Sequence, residues 1–105
     1  MISGCGNVLI PIQVRGLCGD DIQKLLYDTC MESGVRVIFT DLQAGSCTMA
    51  SRRVLKQLGE GVLVAGANLP MLLDFAMSSQ ESAIEAASTA AERGRVAITV
   101  HGAPA

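Results

Sequence analysis

The stretch Val35-Arg36-Val37-Ile38-Phe39-Thr40-Asp41-Leu42-Gln43-Ala44-Gly45-Ser46 decides how this 105-residue chain is read. Val35–Thr40 is an almost continuous apolar run, interrupted by Arg36. A strand with one wet face alternates apolar and polar residues. An unbroken run belongs to a strand covered on both faces, which is the habit of parallel sheets. Asp41–Gly45 then reads as a loop. Ser46 reads as the cap of a helix reaching about Leu58, which Gly59 and Gly61 end.

Downstream, the same order of pieces repeats. Gly61–Ala65 is a second buried strand, Gly66 and Ala67 turn the chain, and Asn68 caps a short helix. Pro70 falls in the first turn of that helix, where its missing N–H has no intrahelical partner to lose. Ser78 and Glu81 have the S-x-x-E spacing of a capping box and predict an alanine-rich helix to about Arg93. Gly94 ends it, and Arg95–Val100 predicts a final strand. Upstream, Val8–Val14 reads as a strand, and Pro11, which lacks a donor, places it at a sheet edge. Asp20 caps a helix to about Ser33, with Ile22, Leu25, Leu26 and Cys30 on one face, and Gly34 stops it.

Strands joined by helices of this length imply right-handed parallel crossovers. The expected fold is α/β, a doubly wound, mainly parallel sheet of four to five strands with helices on both faces. It forms one domain over residues 1–105. Ligands of such sheets sit beyond the carboxyl ends of the strands. That rule singles out residues 41–46 and 65–70.

Composition narrows the function classes. Half of the residues are hydrophobic, which predicts a folded core rather than disorder. The net charge is −2 and the basic residues are scattered, with Arg52 and Arg53 a pair and not a patch. Aromatics are few, so neither phosphate-backbone nor base-stacking recognition of nucleic acid is expected. No apolar run is long enough for membrane insertion, and no basic segment precedes an apolar one as in a signal peptide. Cys5, Cys18, Cys30 and Cys47 contain no C-x-x-C pair and meet one histidine, so no metal or other cofactor is expected. Reduced thiols in a cytoplasmic protein are the simplest account. Gly4-Cys5-Gly6 precedes a strand instead of following one and is no nucleotide fingerprint.

Two segments combine groups that chemistry uses. Asp41 stands at a strand end, and Gly45-Ser46 enters a helix whose free N–H groups and positive dipole end suit a phosphoryl group. Gly66-Ala67-Asn68-Leu69-Pro70 breaks a strand into a second capped helix. On local sequence alone, both are also ordinary turns and caps. A rival reading takes Cys47 and Arg53 as the C-x5-R of a cysteine-dependent phosphatase, with the thiolate attacking phosphorus and the guanidinium binding its oxygens.

Taken together, the two loops resemble the mannose-type enzyme IIA domain of the bacterial sugar phosphotransferase system. There a strand leads into D-L-F-G-G-S-P-x-N, and the next into G-x-N-L-P-M-L. Here Asp41, Leu42, Gly45 and Ser46 stand at the matching places of the first, while its Phe, first Gly, Pro and Asn are replaced. Gly66-Ala67-Asn68-Leu69-Pro70-Met71-Leu72 matches the second in full. The resemblance implies a phosphocarrier, accepting a phosphoryl group from HPr onto a histidine and passing it to a IIB component. It implies that Asp41 orients the histidine and that Ser46 holds phosphoryl oxygens, with Gly45, Gly66, Asn68 and Pro70 shaping the phosphoryl and partner surface.

In the family the histidine follows a first strand and precedes a first helix. This sequence enters after both, with Met1-Ile2-Ser3-Gly4 reading as the tail of that helix. A slot for one strand is then left in the sheet, to be filled by a partner chain, by upstream sequence, or by Arg95–Val100. Ile98-Thr99-Val100-His101-Gly102 resembles the family's strand-then-His-Gly start, which makes His101 the candidate acceptor. The family's last strand is often exchanged between subunits, so a homo-oligomer is expected. A non-catalytic dimeric binding or regulatory module is the alternative.

Overall fold

The computed structural model describes residues 2–5, 8–41, 45–79 and 82–102. Its elements in chain order are β1 (Ile2–Cys5), β2 (Val8–Pro11), α1 (Gly19–Ser33), β3 (Val37–Thr40), α2 (Ser46–Leu58), β4 (Val62–Ala65), α3 (Leu69–Ala76) and α4 (Ala83–Val96). The fold is mixed α/β, with strand order β2-β1-β3-β4.

β3 is the strand that the apolar run predicts, and all four of its residues are buried. Successive side chains of a strand point to opposite faces. Val37 and Phe39 join Met71 and Phe75 of α3 and Ala86, Ala87 and Ala90 of α4. Ile38 joins Ile22, Leu26 and Cys30 of α1 and Ala50 and Val54 of α2. Helices therefore cover both faces, which is why Val37–Phe39 is apolar without alternation. Phe39 and Phe75 meet edge to face with ring centroids 4.9 Å apart, a favoured aromatic geometry. Burial raises the Cys30 thiol above its ordinary titration range, against a smaller opposing pull from Arg36. Cys30 thus packs as a small hydrophobe.

The expectation of a mainly parallel sheet needs correction. β3 and β4 are parallel, but β1 pairs antiparallel with both β2 and β3. Residues 2–5 form a strand, not a helix tail, and they occupy the place beside β3 where a slot was expected. β2 does lie at the sheet edge, as Pro11 predicts, although it ends there instead of reaching Val14.

Three helix ends also differ. Cys18, not Asp20, is the N-cap of α1, and no side chain caps it. Ser82, not Ser78, caps α4 by accepting the Glu85 N–H at 3.3 Å. Glu81 lies outside the described residues. Gly94 does not end α4, which runs on to Val96, and residues 97–102 form no strand. Alanines carry α4 forward, and Arg93 and Arg95 in its last turn suit the negative end of its dipole. Val96, Ile98, Thr99 and Val100 have strand composition. A strand is stable only where a neighbour accepts its hydrogen bonds, and among the described residues none does so here.

Candidate functional site

Parallel pairing brings the two sequence-predicted loops to one edge. Thr40 of β3 stands beside Ala65 of β4. The Ala67 N–H donates to the Thr40 carbonyl at 2.8 Å, which ties the second loop to the root of the first.

In the first loop, Asp41 is exposed immediately after β3. Residues 42–44 lie outside the described residues, so Leu42 of the first motif is not placed. Gly45 is the N-cap of α2 at φ 122°, a backbone conformation open mainly to glycine. Its carbonyl accepts the Met49 N–H at 3.0 Å. Ser46 is exposed and is the first helical residue, one place later than the cap position expected for it. No side chain caps this helix. Beneath the loop, the hydroxyls of Thr40 and Thr48 lie 2.8 Å apart in the interior.

In the second loop, Gly66 turns at φ 81°. Asn68 caps α3 as predicted, its Oδ1 accepting the Met71 N–H at 3.1 Å. Its Nδ2 also donates to the Gly94 carbonyl of α4 at 2.9 Å. One amide side chain thus holds the loop, the start of α3 and the end of α4 together. Pro70 is exposed in the first turn of α3. The Asn68–Gly94 joint brings the end of α4 to this same edge. A groove of about 450 Å³ runs along β4, lined by Val62, Val64, Gly66, Ala87, Arg95 and Ile98 among others.

His101 is exposed beyond α4, with its Nε2 3.1 Å from the Thr99 hydroxyl. Among the described residues, no hydrogen bond joins it to Asp41 or Ser46. The phosphatase reading meets a geometric obstacle. Cys47 and Arg53 lie six residues apart on one α-helix, roughly 120° apart around its axis and about 9 Å along it. They cannot share one phosphate as a looped C-x5-R does. Among the described residues, no group of three or more His, Cys, Asp or Glu side chains is placed to hold a metal. Nor is any helix long and apolar enough to cross a membrane.

Sequence reading took Gly94 for a helix end and passed over the Thr40–Thr48 pair. The small residues Ala87, Ala90 and Gly94 recur at helical spacing and mark a face of close approach. The hydroxyl pair left no local signal, because it spans a loop. Compared with protein-family profiles, curated proteins and solved structures, the chain has no match.

Proposed function

We propose that this chain is a phosphoryl-carrier domain of the mannose-type enzyme IIA kind. The observation that carries the reading is the meeting of its two motif loops at one sheet edge, with Asp41 and Ser46 exposed there and Asn68 fastening the second loop. In this reading β3 and β4, with helices on both faces, are the retained part of a doubly wound parallel sheet. The β1–β2 hairpin stands in place of the family's first strand.

The acceptor is His101, the only histidine in the sequence. Its ring nitrogen attacks the phosphorus of phospho-HPr, the donor's P–N bond breaks, and a new P–N bond forms. Such a transfer asks mainly for positioning and charge stabilisation. The amides at the start of α2 and the Ser46 hydroxyl stabilise the equatorial oxygens, and Asp41 orients the imidazole. Ile98 lines the groove beside Gly66, and His101 lies three residues further on, a reach of roughly 10 Å.

The test is intact mass after incubation with phosphoenolpyruvate, enzyme I and HPr. Wild type is expected to gain one acid-labile phosphoryl group and His101→Ala none. A wild type that gains no mass overturns the reading. The chain is then the non-catalytic dimeric module.

The same reading makes the protein a homo-oligomer that needs no membrane and no nucleic acid. β4 is an edge strand with a groove along it. Val96, Ile98 and Val100 are 78%, 67% and 94% exposed. Pairing of residues 97–100 with β4 of a second copy would satisfy both. Light scattering at micromolar concentration is expected to give a dimer mass, reduced to monomer by Ile98→Asp with Val100→Asp. A monomeric wild type rules the pairing out.

A further inference from the structure

One buried pair of hydroxyls joins the end of β3 to the first turn of α2, on either side of the first candidate loop. Thr40 is the last residue of β3 and Thr48 the third of α2. Each is 2% exposed, and their Oγ1 atoms are 2.8 Å apart. Ile38 and Phe39 before Thr40 and Ala50 after Thr48 are buried too. Two valines would fill such a place with nearly the same shape. A hydroxyl pair differs from a valine pair in direction, since a hydrogen bond is sensitive to distance and angle where an apolar contact is not.

Thr40 does more than meet Thr48. Its carbonyl accepts the Ala67 N–H at 2.8 Å, and its backbone pairs with Ala65. One residue therefore ties together the end of β3, the first turn of α2 and the turn after β4. Asp41 follows it directly, and Ser46 lies two residues before Thr48. Both exposed site residues are thus within two positions of the pair. Gly45, at φ 122° with no atom within 4 Å of a Cβ built on it, supplies no packing restraint of its own.

We infer that Thr40 and Thr48 are positioning residues, whose side-chain hydrogen bond sets where Asp41 and the first turn of α2 stand relative to each other. The inference rests on the phosphoryl reading of the loop. It predicts a rate effect without loss of the fold. The double variant Thr40→Val with Thr48→Val keeps the shape and replaces both hydroxyls, a change that is often close to neutral for stability.

The experiment compares wild type, Thr48→Val, Thr48→Ser and the double valine variant. It follows phosphoryl uptake from phospho-HPr, thermal midpoint, and amide hydrogen exchange at Gly45, Ser46 and Met49. Expected are a double variant that melts near wild type, uptake slowed on the order of 10- to 100-fold at saturating phospho-HPr, and faster exchange of the loop amides. The concentration of phospho-HPr giving half the maximal rate should stay unchanged, and Thr48→Ser should restore most of the rate. A double valine variant with wild-type uptake and wild-type exchange overturns the positioning role. If wild type takes up no phosphoryl group, the phosphocarrier reading fails and the catalytic part of the inference falls with it. Exchange at the three amides still decides whether the pair holds the loop, so the two failures are distinguishable.

Discussion

Gly61→Ala is expected to lower folding stability by about 3–4 kcal/mol. Two causes add. Gly61 has φ 119°, a conformation that a side chain resists. A Cβ there would also lie 2.6 Å from the Arg36 carbonyl oxygen and 2.6 Å from Leu55 Cδ2. Leucine can turn aside, but the carbonyl cannot. It already accepts the Val62 N–H at 2.8 Å, the bond that starts β4 alongside the chain leading into β3. Relieving the clash means moving the two parallel strands apart at their root. Their carboxyl ends carry the candidate site, so its two loops would move too. Urea denaturation measures the loss, with the slope checked for unchanged two-state behaviour. Gly59→Ala is the control, since Gly59 has φ 75° with no atom within 4 Å. It should cost only about 1 kcal/mol. Equal costs at the two positions would mean that the close approach to Arg36 is not what makes Gly61 necessary.

The second large effect is expected at Gly94. In the middle of a helix, glycine is ordinarily worse than alanine by about 1 kcal/mol, so Gly94→Ala would stabilise an exposed helix. Here it should destabilise by about 2 kcal/mol, with a thermal midpoint lower by roughly 10 °C. The added Cβ would lie 2.8 Å from Met71 Cβ and 2.9 Å from Asn68 Oδ1. Neither atom is the free end of a flexible chain. α3 and α4 must separate, which lengthens the 2.9 Å bond from Asn68 Nδ2 to the Gly94 carbonyl. Ser88→Ala, at an exposed position of the same helix, should stay within about 0.5 kcal/mol of wild type. A Gly94→Ala protein that melts at or above the wild-type temperature would show that α3 and α4 adapt at no cost. The joint would then be no anchor for the second loop.

Both positions show where sequence reading stops. Gly61 and Gly94 each follow a helical pattern and read as its end. Gly61 does lie past the end of α2, just before β4. Gly94 is buried inside a helix because another helix passes too close for a side chain. Local sequence carries no record of that neighbour, apart from the small residues at the same spacing. The Asn68 cap was legible because its bond to Met71 spans three residues. Its bond to Gly94 spans 26 residues and was not.

The sequence by itself determined the order of strands and helices from Val35 to Phe75, the burial of β3 and the edge position of β2. It also located the two loops that meet at one edge. Each follows from short-range periodicity, glycine and proline geometry, or a cap within one turn. Only the tertiary structure decided the rest. β1 became a strand by pairing with β2 and β3, a partnership no local pattern encodes. Among the described residues no strand pairs with residues 97–102 despite their composition, and α4 took Arg95 and Val96. Thr40 and Thr48 met across a loop. In each case the deciding energy comes from groups distant in sequence. A strand becomes stable only when the strand beside it exists, and a helix end moves by a turn at little local cost.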